Sequence, residues 1–151
     1  MNVRRASTGD LDALLRLYEQ LSAGNASTMA AAAAPAPALE TILAAPGISL
    51  LVAESDGGVV GTVTLVIVPN LTHNAQPWAQ VENMVTDGSV RGLGAGRLLI
   101  EECLRLVQEA GCYKVQLQSA NTRATPDNDA HGFYRHLGFE PSSTGFRYYS
   151  A

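Results

Sequence analysis

The chain has few cysteines, few basic residues and no long hydrophobic run, and each scarcity excludes a class of protein. Its 151 residues include 2 cysteines, too few for a disulfide framework or a cysteine-rich metal site. The formal net charge is −4, whereas nucleic acids and anionic membranes favour a basic partner. No apolar run reaches the length of a transmembrane helix. We therefore expect no metal ion, no nucleic-acid partner and no membrane partner.

The amino terminus lacks the pattern of a secretory leader, because residues 1–5 lead into a polar stretch. We expect a cytoplasmic protein. A hydrophobic content of 46% over this length is enough to bury one core, and we expect a single domain over residues 1–151. Cys103 falls on an apolar helix stripe, and we interpret both it and Cys112 as structural, since free cysteine prefers burial.

The spacing of the apolar residues predicts the element order β-α-α-β-β-β-α-β-α-β. The helices are predicted at 11–21, 39–45, 95–110 and 130–137, and the strands at 3–6, 48–54, 59–68, 78–85, 114–118 and 146–149. This order implies a mixed sheet with helices on both faces. Tyr18 falls on the apolar side of the first helix. The alanine- and proline-rich segment 26–38 has no such pattern, and it is open to two interpretations, a mobile linker and an irregular lid.

A glycine-rich loop joins the predicted strand at 78–85 to the longest predicted helix. A helix that begins after glycines presents unpaired backbone N–H groups, with the positive end of the helix dipole behind them. Glycine also allows a bulky anion to come close to the main chain. The alternative is a turn that only starts the helix. The pattern favours a phosphate-binding loop.

Two familiar phosphate loops do not fit this segment. A Walker A loop needs Lys followed by Ser or Thr after its last glycine, and Arg97-Leu98 stand there instead. A dinucleotide fingerprint starting at Gly92 needs a glycine at the sixth position, which is Arg97. What remains is R-x-x-G-x-G, from Arg91 to Gly96. This motif resembles the loop with which the acyl-CoA-dependent N-acetyltransferase (GNAT) superfamily grips the pyrophosphate of coenzyme A.

A second motif strengthens the resemblance. Near the carboxyl terminus, A-x-x-F-Y-x-x-x-G-F is matched by Ala130, Phe133, Tyr134, Gly138 and Phe139. The two motifs occur in the order of the superfamily, and the resemblance covers nearly the whole chain. It implies an α/β (α+β) fold, in which a mixed, mostly antiparallel central sheet is flanked by helices on both faces. It also implies acetyl-CoA as the co-substrate.

The resemblance implies a role for several residues. The pyrophosphate is expected at Arg91, Gly92, Leu93, Gly94, Ala95, Gly96 and Arg97. A backbone N–H freed where the strand through Met84 and Val85 splays would polarise the thioester carbonyl. Tyr134, which faces the sulfur, would donate a proton to the leaving thiolate.

Three further residues keep an alternative beside the functional role. Glu82 would take a proton from the amine directly or through water, and the alternatives are that it binds the substrate ammonium or forms a salt bridge. Asn128 or Asp127 would contact the pantetheine or the adenosine, and the alternative is a helix cap.

The acceptor is less defined. Residues 111–114 and 133–134 are similar to glucosamine-6-phosphate N-acetyltransferases, but the loop between Ser119 and Ala130 is longer here. In its overall sequence pattern the chain resembles bacterial GNAT proteins of unassigned substrate. We expect direct acetyl transfer, in a ternary complex, to a primary amine of a small molecule. The alternatives are a protein or peptide N-acetyltransferase and a non-catalytic acetyl-CoA-binding module. The sequence leaves a homodimer open.

Overall fold

A five-stranded sheet in the order β1-β2-β3-β4-β5 organises the fold in the computed structural model. The strands are β1 Asn2–Arg5, β2 Ile48–Ser55, β3 Gly58–Val68, β4 Trp78–Thr86 and β5 Lys114–Leu117. The first four strands pair antiparallel with their neighbours. The structure describes residues 1–22, 34–119 and 129–150. They fall into two units, Met1–Gln116 and Leu117–Ala151.

Five α-helices accompany the sheet within the described ranges. They are α1 Leu11–Ser22, α2 Pro35–Ala44, α3 Thr72–Ala75, α4 Ala95–Glu109 and α5 Ala130–His136. Only α5 lies in the second unit. The element order of the sequence analysis is confirmed as far as α5 except for α3, which lies between β3 and β4 where the predicted order has no helix. The mixed, mostly antiparallel sheet is confirmed.

Helices α1 and α2 cover one face of the sheet. Their leucines Leu14, Leu17 and Leu39 form a buried cluster with Leu50 and Val52 of β2. These two β2 residues alternate with Leu51, which points to the other face. Burying a leucine side chain of this kind contributes about 2 kcal/mol, so the cluster fixes α1 against the sheet.

Helix α4 covers the opposite face. A Cβ added at Gly61 would lie 3.2 Å from Leu99 Cδ1, and Gly61 pairs with Ala53, on the face opposite Val52. The apolar stripe predicted for α4 is buried at Ala95, Leu99, Cys103 and Val107. Burial raises the pKa of the Cys103 thiol to about 12, which agrees with its expected structural role.

A two-residue turn joins β2 to β3. Asp56 and Gly57 both have a positive φ, 51° and 78°, which is the geometry of a two-residue turn matching the twist of the strands. Helix α2 begins at Pro35, earlier than predicted, because proline at a first helical position loses no hydrogen bond there. Residues 26–33 of the alanine- and proline-rich segment lie outside the described part of the chain.

The predicted final strand at 146–149 is wrong. The described residues 139–150 form neither helix nor strand. Phe146 and Tyr148 are 92% and 94% exposed. An alternating aromatic pattern is compatible with a strand, but the backbone of a strand also needs a neighbour to pair with.

Candidate active site

A β-bulge interrupts the pairing of β3 with β4. Thr62 pairs with Val85 and Thr64 pairs with Glu82, so two steps along β3 match three steps along β4. The extra residue lies within 83–84, and Asn83 has a φ of 52°, in the left-handed region that few residues other than glycine adopt. The bulge lies in the segment where the sequence analysis expects β4 to part from its neighbour.

The bulge decides which side chains share a face of the sheet. In a regular strand Val81 and Val85 would point the same way, because side chains alternate. The extra residue instead turns Val85 into the cluster under α1. Glu82 lies on that same face, because its partner Thr64 pairs with Leu50 of the cluster.

Glu82 is exposed on this face. Its carboxylate accepts a hydrogen bond from the Gln80 amide at 2.9 Å. No ion pair to Glu82 is found in the described part of the chain, so the salt-bridge alternative has no support there. Met84 is half-buried and Val85 is buried.

Tyr18 of α1 is a residue of this face to which the sequence analysis gave no functional role. Its side chain packs against the buried cluster, and Thr62 and Thr64 of β3 lie on the same face, opposite Val52 and Leu50. Burial raises the pKa of the Tyr18 phenol, and the two threonines oppose that shift. A tyrosine at the end of a leucine stripe was the available signal, since tyrosine combines an apolar ring with a polar tip.

The glycine-rich loop leads from β4 into α4. Gly92 and Gly94 have a φ of 78° and 92°, and Gly94 is the N-cap of the helix. Residues 91–94 are exposed, and the first turn of α4 contains no acidic residue. The first backbone N–H groups of a helix have no partner within it. This end of α4 therefore combines open backbone donors with a positive potential.

The side chains of this loop differ in their surroundings. Arg97 points along α4 and pairs with Glu101 at 2.7 Å, and this pairing raises the pKa of Arg97. Arg91 is exposed. Leu93 is 68% exposed, whereas Ala95 is buried and ties the start of α4 to the core.

Helix α1 also holds the segment before the loop. Gln20 accepts a hydrogen bond from the backbone N–H of Gly88 at 3.0 Å. Asp87 accepts from the backbone N–H and the hydroxyl of Ser89 at 2.9 Å and 2.7 Å, and these bonds lower the pKa of Asp87. The entry to the loop is thus fixed by α1 on one side and by its own turn on the other.

The second unit carries the A-x-x-F-Y motif on α5. The half-buried Tyr134 ring meets Phe133 and Phe139 edge to face, with centroids 5.2 Å and 5.9 Å apart. Gly138, with a φ of 89°, ends the helix, and the Phe139 N–H donates to the Tyr134 carbonyl at 3.0 Å. The glycine of the motif therefore serves as a helix stop.

The cap of α5 is Asp129, whose carboxylate accepts from the Gly132 N–H at 2.8 Å. A Cβ at Gly132 would lie 2.0 Å from that carboxylate, which explains a glycine there. Asn128 and Asp127 lie outside the described residues, so their predicted role is not tested.

The described residues show neither a metal cluster nor a membrane-spanning helix. In residues 1–22, 34–119 and 129–150 no three His, Cys, Asp or Glu side chains gather as a metal site would require. Over the same ranges, every helix is too short or too polar to cross a bilayer.

Comparison with known proteins gives the class of the chain. The family model of the acetyltransferase (GNAT) family matches residues 13–139, which include β4, the glycine-rich loop and the A-x-x-F-Y motif. The chain therefore belongs to the acetyltransferase (GNAT) family. This is the family that the two motifs predict.

Individual relatives agree with that assignment. A glucosamine 6-phosphate N-acetyltransferase of Trypanosoma brucei brucei is 36% identical over 86 residues, 57% of this chain and 54% of the relative. The chain thus matches about half the length of this curated relative. A protein of Agrobacterium tumefaciens str. C58, provisionally assigned as an acetyltransferase, is 38% identical with a TM-score of 0.87, covering 99% of this chain and 100% of the other.

A further solved structure bears on the fold alone. The glucosamine-6-phosphate N-acetyltransferase of Arabidopsis thaliana is 21% identical, with a TM-score of 0.82 over 98% of this chain and 97% of the other. At this identity the match supports the architecture of the sheet and helices.

Proposed function

We propose that the protein transfers an acetyl group from acetyl-CoA to a primary amine of a small molecule, directly within a ternary complex. The observation that carries the proposal is the amino-terminal end of α4. There Gly94 caps the helix with a positive φ, no acidic residue stands in the first turn, and the preceding strand is bulged. A helix end of this kind is suited to a diphosphate.

The glycines of the loop leave room for acetyl-CoA to approach the backbone. A Cβ added at Gly92 or at Gly94 would meet no atom within 4 Å, so the backbone there is open to a bulky anion. In the proposal the loop Arg91 to Arg97 binds the pyrophosphate, and Met84 and Val85 bind the pantetheine end. Asn128 remains a predicted contact to the pantetheine or adenosine.

Each proton and bond of the reaction has a proposed residue. Glu82 accepts a proton from the ammonium, directly or through water, and leaves a neutral amine. The nitrogen lone pair attacks the thioester carbonyl, whose developing negative charge accepts a hydrogen bond from the Val85 N–H. The carbon–sulfur bond breaks, and Tyr134 donates its proton to the thiolate. The nitrogen then loses its second proton, which restores the Tyr134 phenol, and Glu82 releases the first proton to solvent. The products are an N-acetyl amine and coenzyme A.

The acceptor proposal rests on the curated relative. Its named substrate is an amino sugar phosphate, so amino sugars are the first compounds to test. The acidic character of the chain, with a net charge of −4, is compatible with a cationic amine.

The decisive experiment measures thiol release from acetyl-CoA with amino sugars, aminoglycosides, polyamines, amino acids and peptides. Saturable release with one class of small amine, and an acetylated product by mass, would support the proposal. Release with peptides alone would identify a protein or peptide acetyltransferase. Calorimetric binding of acetyl-CoA without release for any acceptor would identify a non-catalytic binding module.

A further inference from the structure

Gln20, near the carboxyl end of α1, uses both ends of its side-chain amide to bind the residues that follow β4. Its Oε1 accepts a hydrogen bond from the backbone N–H of Gly88 at 3.0 Å, and its Nε2 donates to the Asp87 carboxylate at 3.4 Å. These partners are 68 and 67 residues away along the chain. The two bonds therefore connect α1 to the entry of the glycine-rich loop. We call this arrangement the Gln20 clamp.

Both partners require the same orientation of the Gln20 amide. A backbone N–H can only donate, so it faces the amide oxygen, and an ionised carboxylate can only accept, so it faces the amide nitrogen. An apolar side chain at this position would lose both bonds at once. Gln20 is exposed, so the packing of the core does not explain why an amide stands there.

Asp87 is held from two further directions. Its backbone N–H donates to the Val60 carbonyl of β3 at 2.8 Å. The other oxygen of its carboxylate accepts from the backbone N–H and the hydroxyl of Ser89. Gln20 is thus the member of this set that ties the turn to a helix, whereas Val60 ties it to the sheet and Ser89 closes it locally.

A series of backbone hydrogen bonds leads from Asp87 to α4. The Val90 N–H donates to the Asp87 carbonyl at 3.1 Å, and the Leu93 N–H donates to the Val90 carbonyl at 3.2 Å. The Leu98 N–H then donates to the carbonyl of Gly94, the N-cap of α4, at 3.0 Å. Because each turn begins near the end of the previous one, the position of Asp87 determines where the backbone donors of the loop point.

The loop depends on support of this kind because of its glycines. Glycine loses more conformational freedom on ordering than any other residue. A Cβ added at Gly92 or at Gly94 would meet no atom within 4 Å, so neighbouring atoms do not confine the backbone there. A loop that is ordered before its ligand arrives spares the ligand the cost of ordering it.

We propose that Gln20 is a positioning residue for acetyl-CoA, which orders the glycine-rich loop and thereby sets how much the pyrophosphate adds to the affinity. This inference rests on the proposed function and deepens its binding site. Gln20 acts through Asp87 and Gly88. Its loss should therefore weaken a ligand that carries the pyrophosphate and spare one that ends before it.

The test compares acetyl-CoA with S-acetylpantetheine, which carries the same thioester and pantetheine arm without the pyrophosphate and the nucleotide. Calorimetry gives the Kd for acetyl-CoA, and displacement of acetyl-CoA gives the Kd for S-acetylpantetheine. Gln20→Leu and Gln20→Ala remove the clamp. Gln108→Leu and Gln108→Ala are the matched controls, since Gln108 is an exposed glutamine near the carboxyl end of another helix, α4.

We expect Gln20→Leu to raise the Kd for acetyl-CoA about 10-fold, because two hydrogen bonds that order the loop are lost, one of them to a carboxylate. The Kd for S-acetylpantetheine should stay within about twofold, since this ligand does not reach the loop. Without ligand, the backbone amides of residues 88–98 should exchange their hydrogens faster in the Gln20 variants than in the wild type and the Gln108 variants.

The outcomes separate this inference from the proposed function. A wild-type protein that binds acetyl-CoA no more tightly than S-acetylpantetheine overturns the pyrophosphate site of the proposed function and this inference with it. If the wild type favours acetyl-CoA and folded Gln20→Leu keeps the whole preference, the inference alone is overturned. An equal loss for both ligands, or unchanged hydrogen exchange in the loop, also overturns it. If Gln20→Leu does not fold, Gln20→Ala decides, because alanine is the best helix former.

Discussion

Two polar networks of the first unit differ in whether the fold completes them. At the edge of the sheet, the Arg4 guanidinium donates to Asp10 at 2.8 Å and to Glu54 at 2.5 Å. Asp10 also accepts from the backbone N–H and the hydroxyl of Ser7, at 2.7 Å and 3.0 Å. The partners hold the pKa of Asp10 well below its usual range. They raise the pKa of Arg4 above the usual value of an arginine. We call this set the edge cluster.

The network on the α1 face is left open at one end. The Thr62 hydroxyl donates to the Leu51 carbonyl, but the exposed carboxylate of Glu82 receives a neutral amide and, within the described residues, no cation. A carboxylate that is already paired with a cation within the fold gains little from binding a cationic ligand. A carboxylate without such a partner is available to an ammonium group. The comparison predicts that the edge cluster determines stability and that the open network determines turnover.

The largest expected effect concerns Tyr134, which belongs to neither network. Its loss of turnover is the reference with which the effect at Glu82 is compared. If its hydroxyl protonates the leaving thiolate, Tyr134→Phe lowers kcat by about 10²–10⁴-fold. The ring contacts with Phe133 and Phe139 remain, so the Kd for acetyl-CoA and the melting temperature should change little. Steady-state kinetics, calorimetry and thermal unfolding on the one variant measure all three.

The control for that variant is Tyr148→Phe, a 94% exposed tyrosine of the same unit, for which no change is expected. A Tyr134→Phe enzyme with near-normal kcat and a lowered melting temperature would contradict the proposal. It would indicate a hydroxyl that is bonded within the fold, a contribution of about 1 kcal/mol.

The second effect concerns the end of α4, which the fold leaves open like the Glu82 carboxylate. In Gly96→Glu the new carboxylate lies beside the helix donors, where it repels a pyrophosphate, and we expect the Kd for acetyl-CoA to rise at least about 10²-fold. The fold should be retained, since acidic residues are favourable in a first helical turn. Calorimetry gives the Kd and circular dichroism the fold.

The matched control places the same charge at the other end of the helix. Gln108 is exposed near the carboxyl end of α4, and Gln108→Glu should leave the Kd unchanged. Wild-type affinity in a folded Gly96→Glu protein would remove the loop from the binding site.

The third effect tests the open network at Glu82. As general base, its replacement in Glu82→Gln should lower kcat about 10²-fold, and most at low pH, where more of the amine is protonated. As a binding group for the ammonium, it would instead raise the acceptor KM with kcat retained. A pH–rate profile of unchanged shape and height would show that Glu82 takes part in neither step. The melting temperature should hold, because the side chain is exposed.

The features of the fold and of the candidate site differ in how far the sequence predicts them. The glycine-rich loop and the end of α5 were predicted because their glycines are local requirements, a positive φ at Gly94 and at Gly138. The helix stripe of α4 was predicted because its period of 3.6 residues is local as well. In each case the cause lies within a few residues of its effect.

The remaining features depend on contacts between distant segments. The bulge within residues 83–84 is defined by the register of β4 against β3, and the packing of Tyr18 depends on the contact of α1 with the cluster on the sheet. Neither feature can be derived from the sequence of a single strand or helix. The predicted strand at 146–149 failed for the same reason, because an alternating pattern does not specify a partner strand.

The smallest expected effect concerns the edge cluster. Here we expect a loss of stability without a loss of turnover, the opposite of the result expected for Glu82. Asp10→Asn should lower the free energy of unfolding at pH 7 by about 2 kcal/mol, since it breaks charge-assisted bonds to a carboxylate that is 9% exposed. We expect no more than that, because the Arg4 side chain is 36% exposed and solvent screens the pair. Turnover per folded molecule should be unchanged. Chemical denaturation and kinetics measure the two.

The pH dependence of the same variant completes the argument. The pKa of Asp10 is depressed in the folded protein by the Arg4 guanidinium, so its contribution to stability is fully present above the unfolded value of about 3.9. That contribution is lost as pH falls through the folded value. The stability difference between wild type and Asp10→Asn should therefore be constant from neutral pH down to about pH 5 and shrink below it. Asp12→Asn, at an exposed acid in the first turn of α1, is the control. A constant difference at all acidic pH values would mean that Asp10 contributes through packing and not through its charge.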